Sequence, residues 1–377
     1  MNFELTDEQR AIQRLVRDFA DQEVRPIAEE IDREKRFPYE VVAKLGELGL
    51  MGIPYPEEYG GGGADYMSYV LAIEELARVD SSVGITVAAH TSLGTYPIYS
   101  FGSDEQKEEY LPDLCAGKRL WAFGLTEPEA GSDAGNTRTT ATLEDGHWVI
   151  DGAKQFITNA GTDITGGVTI TARTGDNEIS NIIVAQATPG YSVEAPYRKM
   201  GWNASDTRPL AFDGARVPEG NLLGPRGNGF RQFLDTLDGG RIGVAAMGLG
   251  LAQGAFDEAL AYAKERRAFG QPISKFQAIQ MKLADLSTEI EATRLLVYRA
   301  AILKQEGRPY SLEGGQAKLK SGRVAVRAAE EAVQIHGGYG YIEEYPVCRM
   351  YRDAKILTIG EGTDEVQQMV IARHLGA

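Results

Sequence analysis

Glu361 lies in the run Ile359-Gly360-Glu361-Gly362-Thr363 near the end of the chain, with a glycine on each side. Glycine has no Cβ, so this setting permits a sharp turn and close approach of a ligand to the backbone, and a carboxylate held there could abstract a proton. Thr363 is placed to cap a helix, with Asp364 and Glu365 in its first turn where the dipole favours negative charge, and Val366, Met369 and Val370 form an apolar row behind. Taken alone, a Glu-Gly pair is more often a solvated loop acid. Asp235 and Asp238 are weaker acidic candidates for the same work. Gly248, Gly250 and Gly254 imitate a dinucleotide-binding fingerprint, but they fall inside an Ala-rich helical run and not after a strand, which points to close helix packing instead. His336 stands alone and reads as structural, and no Cys or His spacing suggests a metal site.

The elements that must position these groups fall into three blocks. Thr6 and Gln9 form a capping box ahead of the stripe Ile12, Leu15, Val16 and Phe19; Pro38 opens a second helix that Gly49 ends; Ser103 and Gln106 cap another. Residues 1–120 are therefore expected to be all-helical. From Trp121 the runs WAFGL, TTATLE, HWVIDG, QFIT, VTITAR, NIIVAQ, YSVEA and LAFDGARV are spaced like strands of a barrel or sandwich, with Asp145-Gly146 as a hairpin turn, giving a β domain over 121–228. After a Gly/Pro-rich linker, helical periodicity resumes over 229–377, broken near Ala268-Phe269-Gly270 and Gly307-Arg308-Pro309. The fold class is α+β and multidomain: helical domain, central β domain, C-terminal helical bundle.

Bulk properties exclude several classes. A net charge of -15 over 377 residues opposes a nucleic-acid groove or an anionic membrane surface, and no apolar run is long enough to span a bilayer. Cys115 and Cys348 are far apart, so no disulfide framework is expected. The polar, acidic start MNFELTDEQR is unlike a signal or transit peptide, and a cytoplasmic location is expected.

Several motifs across all three blocks coincide with one family. Gly124-Leu125-Thr126-Glu127-Pro128-Glu129-Ala130-Gly131-Ser132-Asp133, then Gln334-Ile335-His336-Gly337-Gly338-Tyr339-Gly340-Tyr341 with Glu344, Arg349 and Asp353, then Glu265 to Gly270 with Gln277 and the Glu361-Gly362-Thr363 turn, resemble the acyl-CoA dehydrogenases from end to end. Asn136, Phe156 and Gly360 depart from the family pattern, the last two standing where relatives carry Trp and Tyr.

The resemblance implies FAD as cofactor. It assigns Phe123, Leu125, Thr126, Gly131, Ser132, Phe156, Ile157 and Thr158 to the flavin, with Thr126 and Thr158 toward its polar edge. It assigns Arg266, Gln277, Gln334, Ile335, Gly337 and Gly338 to the FAD of a neighbouring subunit in a homotetramer, and adds Phe269, Thr363 and Glu365 to the cofactor set. Ser132, Asp238, Arg241 and Gly362 match acyl-CoA contacts. In the isovaleryl and long-chain branches the base sits at the position of Gly240, which cannot serve, so Glu361 is expected to act as in the short- and medium-chain branches. The implied reaction is α,β-dehydrogenation of a short- to medium-chain acyl-CoA, linear or branched, to the trans-2-enoyl-CoA, with electrons passed to electron-transfer flavoprotein. Alternatives on the same scaffold are an acyl-CoA oxidase, whose usual longer C-terminal extension is missing here, a flavin monooxygenase, and a nucleic-acid-binding alkylation-response protein, whose basic patches this chain lacks.

Overall fold

A computed structural model describes residues 4–377. Seven helices form the first part: α1 (Asp7–Phe19), α2 (Ala28–Glu34), α3 (Tyr39–Glu47), α4 (Tyr66–Val79), α5 (Ser81–Ala89), α6 (Tyr96–Phe101) and α7 (Asp104–Cys115). The Thr6/Gln9 and Ser103/Gln106 capping boxes form as the sequence predicts, each satisfying donors that a helix start leaves orphaned. Two π-helical turns, Ala20–Val24 and His90–Thr95, have no counterpart in the periodicity. Helix α4 is buried all round from Met67 to Val79, because neighbouring helices cover every face.

The middle part is one connected sheet of seven strands: β1 (Leu120–Gly124), β2 (Thr140–Glu144), β3 (His147–Thr158), β4 (Thr165–Gly175), β5 (Glu178–Ala185), β6 (Tyr191–Val193) and β7 (Thr207–Pro218). Strands run β1-β4-β2-β3-β7-β6, and β5 pairs with β4. The β2–β3 hairpin turns at Asp145 (φ 50°) and Gly146 (φ 72°), the left-handed pair that a two-residue turn of this kind requires. The runs HWVIDG and QFIT, separate in the sequence reading, are one strand. It stays paired to β7 through two irregularities, one at Ile150/Gly152 and one at Lys154/Ile157.

The last part holds α8 (Gly229–Glu265), the small hairpin β8 (Arg267–Ala268) and β9 (Gln271–Pro272), α9 (Gln277–Gln305), α10 (Ser311–His336), α11 (Pro346–Ala354) and α12 (Asp364–His374). The break at Phe269-Gly270 is the hairpin tip, where both residues have positive φ. Gly250 and Gly254 sit inside α8, where an added Cβ would lie 2.1 Å from the Glu74 carbonyl oxygen and 2.0 Å from that of Arg78. The glycines therefore serve the close contact of α8 with α4, as the helical reading of that stretch requires.

Packing unites what the chain order separates. One hydrophobic core runs from Val16 and Leu45 through Ile73 and Val83 to Met247, Ala301, Ala328 and Leu357, so the two helical parts share it. The sheet has its own core around Trp148, Ile170, Ile182 and Phe212. No helix of the described residues is long and apolar enough to cross a membrane.

Candidate active site

Helices α8, α10 and α12 and the π-helical turn His90–Thr95 meet around the turn that carries Glu361. The turn itself has left-handed backbone at both Glu361 (φ 56°) and Gly362 (φ 87°). Thr363 then caps α12 by accepting from the Val366 N–H at 3.3 Å. Helix α8 passes alongside, and at Gly240 an added Cβ would stand 3.0 Å from Glu361 Oε2 and 3.0 Å from Leu93 Cδ2. The absence of a side chain at 240 is thus what leaves room for the carboxylate. At Gly360, by contrast, an added Cβ would meet only Ile356, at 3.6 Å or more, so the departure from tyrosine opens space without a steric cause.

The electrostatics separate Glu361 from the other acids. Its Oε2 is buried and has no hydrogen-bond partner. Burial pushes the carboxyl up from its ordinary 4.5 to about 7, against the opposing pull of Arg241 and Lys318. Asp235 instead accepts from the Tyr96 hydroxyl at 2.7 Å. Asp238 is paired to Arg241 and accepts from Ser311 Oγ at 3.1 Å. Of the three, Glu361 alone keeps a buried oxygen free, the condition expected of a proton acceptor awaiting a substrate. Arg241 also has a buried, unpartnered Nε.

The first glycine-rich loop is fixed from below. Glu127 and Ala130 exchange backbone hydrogen bonds across a tight turn, and the Gln155 N–H binds the Thr126 carbonyl at 2.8 Å, tying the loop to β3. Underneath, the Glu127 carboxylate accepts from Lys154 Nζ at 2.7 Å and from the N–H groups of Arg138 (2.6 Å) and Thr139 (3.1 Å). Lys154 also donates to the Leu125 carbonyl and Thr171 Oγ1 and is fully buried. Gly131 and Ser132 are exposed above this support, and a Cβ at Gly131 would meet nothing within 4 Å. On β3, Phe156 adopts φ 61° at the second irregularity and is 62% exposed, its ring 5.1 Å from that of Tyr197. The side chain of Ile157 points the other way into the sheet core, so its assignment to the flavin holds only through its backbone.

The structure does not bring all the expected cofactor residues together. Arg266 lies over the Tyr339 ring at 5.7 Å, near exposed Gln334, Gly337 and Gly338 at the far end of α10, and Gln277 is exposed at the start of α9. Lys318, at the Glu361 end of α10, is sixteen residues before Gln334, which on a helix is roughly 24 Å. Ile335 is buried and packs in the helical core. Phe269, at the hairpin tip, is 96% exposed. His336 is a packing residue: its ring stacks on Tyr262 at 4.1 Å and Nδ1 bonds the Ala332 carbonyl.

Sequence reasoning missed Lys318 and Gln367. Lys318 Nζ donates to the Gly362 carbonyl at 2.6 Å, and Gln367 Nε2 donates to the carbonyls of Glu361 (2.9 Å) and Gly362 (3.1 Å). Gln367 is the fourth residue of α12, which would have been a clue; nothing marks Lys318 among the lysines of α10.

The chain runs helix, sheet, helix, and carries a carboxylate whose buried Oε2 has no partner among the described residues and stands beside a glycine of α8. Three family models cover it in order: the acyl-CoA dehydrogenase N-terminal domain over residues 6–118, the middle domain over 122–215 and the C-terminal domain over 227–376. The chain is 49% identical to the short-chain specific acyl-CoA dehydrogenase of Clostridium acetobutylicum over 99% of each. It superposes on the butyryl-CoA dehydrogenase of Megasphaera elsdenii with a TM-score of 0.97 and 45% identity, covering 100% of both chains. A chain solved in work on the electron transferring flavoprotein of Acidaminococcus fermentans gives a TM-score of 0.98 at 46% identity, over 100% of this chain and 99% of that one. The chain belongs to the acyl-CoA dehydrogenase family, in its short-chain-like branch, and is an oxidoreductase of that class. The family is one of flavoproteins that generally use FAD.

Proposed function

We propose that this protein removes the α-proton and β-hydride of a short-chain acyl-CoA, with Glu361 as the base and FAD as the cofactor. The observation that carries the reading is the buried Glu361 Oε2, which has no hydrogen-bond partner among the described residues, beside a helix position that lacks a side chain. The residues fit the cofactor: an open loop at Gly131 and Ser132 with its support in Glu127 and Lys154, and Phe156 turned off the sheet by its positive φ. FAD, when bound, supplies the acceptor for the hydride.

The rest of the chemistry belongs to the chain. Glu361, brought to about 7 by burial, takes the proton near neutral pH, where a base is most effective. Among the described residues its N–H makes no hydrogen bond, leaving it to donate to the thioester carbonyl and acidify the α-proton. Asp238 and Arg241 stand paired on α8 beside the turn, ready to contact the substrate, as Ser132 is from the loop. Leu93 and Gly240 confine the acyl group next to the carboxylate.

Two further parts of the reading concern partners. Arg266, Gln277, Gln334, Gly337 and Gly338 serve the FAD of a neighbouring subunit. The almost fully exposed Phe269, with Met281 and Met369 also exposed on the bundle, supports a homotetramer. Reduced flavin passes its electrons to electron-transfer flavoprotein, supported by the similarity to the Acidaminococcus chain.

Anaerobic mixing of the FAD-loaded protein with saturated acyl-CoAs of increasing length tests the reaction. Rapid bleaching of the flavin by four-carbon substrates, fading with longer chains, is expected; no bleaching by any of them while FAD stays bound would remove the proposal. Arg266→Ala should lower FAD retention on gel filtration, and unchanged occupancy would remove the subunit-bridging role.

A further inference from the structure

The backbone of the base is as unusual as its carboxyl. A left-handed conformation at a residue with a Cβ costs about 1–2 kcal/mol, and here glutamate adopts it directly before a glycine that does the same. Such a pair persists only where surrounding groups hold it. Lys318 from α10 and Gln367 from α12 do so, reaching the two successive carbonyls of Glu361 and Gly362 from different helices. Both side chains are fully buried.

We propose that Lys318 and Gln367 are positioning residues for the base: together they clamp the turn so that the Glu361 carboxylate faces the cleft, and the Lys318 ammonium favours its ionised form. The inference rests on Glu361 being the base. The charged and titratable groups that face this turn come from four helices: Tyr69 on α4, Arg241 on α8, Lys318 on α10, and Asp364 and Glu365 on α12. Arg241 is shared with Asp238, and Asp364 with Arg323 at 2.8 Å. Lys318 makes no ion pair within 4 Å among the described residues; its one hydrogen bond goes to the Gly362 carbonyl of the turn. Burial lowers the lysine to about 8, with Asp364 and then Glu361 pulling the other way, so it remains mostly charged at neutral pH.

The sign follows directly. A cation beside a carboxyl raised by burial lowers the pH at which that carboxyl ionises, so removing the cation moves ionisation upward. The clamp acts on geometry, where a displacement of the order of 1 Å at a reacting group can cost about 100-fold in rate.

The test is the pH dependence of kcat/KM for the FAD-loaded enzyme, measured for Lys318→Met, Gln367→Leu and Glu361→Gln with flavin content as a control. Lys318→Met should shift the acid limb upward by about one pH unit and lower kcat about 10- to 100-fold with little change in KM. Gln367→Leu should lower kcat about tenfold and leave the limb in place. An unmoved limb in Lys318→Met, or full turnover in Gln367→Leu, overturns the proposal. If Lys318→Met does not fold, Lys318→Arg takes its place: a limb like the parent's with reduced kcat supports the charge role, and an upward-shifted limb overturns it. Loss of turnover in Glu361→Gln with an unmoved limb in Lys318→Met would leave the base standing and sink the clamp. Retained turnover in Glu361→Gln would sink both.

Discussion

Two glutamates with buried carboxylate oxygens meet opposite surroundings in this protein. Glu127, under the glycine loop, has Lys154 and two backbone N–H groups around it. Burial pushes it up, but Lys154 and these donors outweigh that and hold its carboxyl below the ordinary value. Glu361 has an oxygen with no donor at all, and burial carries it up to about 7. The same side chain is thus held as an anion at 127 and is, on our proposal, a proton acceptor at 361. The count of donors within reach sets them apart, since desolvation alone favours the neutral acid and each hydrogen bond to the anion reverses that.

The comparison can be broken most sharply at Glu361. Glu361→Gln keeps the shape and removes the base, and turnover should fall about 10³- to 10⁴-fold while FAD remains bound; residual activity near the parent's, in a flavin-bleaching assay, would put the base elsewhere. Next comes the paired site. Lys154→Met leaves an uncompensated buried carboxylate and should destabilise the protein by about 3–5 kcal/mol, read as a lower denaturation midpoint. Adding Glu127→Gln to it should recover part of that loss, because the stranded charge is gone.

Gly240→Ala tests the room around the unpaired acid. Its Cβ meets Glu361 Oε2 and Leu93 at 3.0 Å, closer than side-chain contacts comfortably allow, so turnover should fall by about 10- to 100-fold in a protein that still folds. A fully active alanine variant would show that the carboxylate works from another position. The smallest effect concerns stability. Glu361 has a folded-state pKa above its unfolded value, so its contribution is fully present below about 4.5 and is lost as pH rises through about 7. Glu361→Gln, which does not titrate, should therefore be more stable than the parent at pH 8 by about 1–3 kcal/mol, with the gain vanishing towards pH 4.5. Thermal melts at the two pH values check it.

Much of this arrangement is legible in the residues. The capping boxes, the Asp145-Gly146 hairpin, the helical glycines of α8 and the cap at Thr363 follow from local chemistry, and local chemistry is all that such signals need. Gly240 and Glu361, linked in the sequence only through the family resemblance, lie against each other in the fold, which supports the proposed base without testing it. Lys318 and Lys154 were not legible, because each acts on a backbone carbonyl or carboxylate brought near only by packing; Lys318 is 44 residues from the carbonyl it holds. Gln367, five and six residues from its carbonyls, is a local contact at the start of α12 and could have been read from the cap. The continuity of β3 was hidden for a related reason. Gly152 and Phe156 have positive φ and interrupt the alternation of side chains, although pairing with β7 continues through them.

The contact between positions 240 and 361 also bears on redesign. A Cβ at 240 would stand 3.0 Å from Glu361 Oε2, so a side chain there and the carboxylate compete for one space. On our proposal that Glu361 is the base, a second carboxylate placed on α8 would crowd the first, and a design that moves the base to the helix should change both residues together.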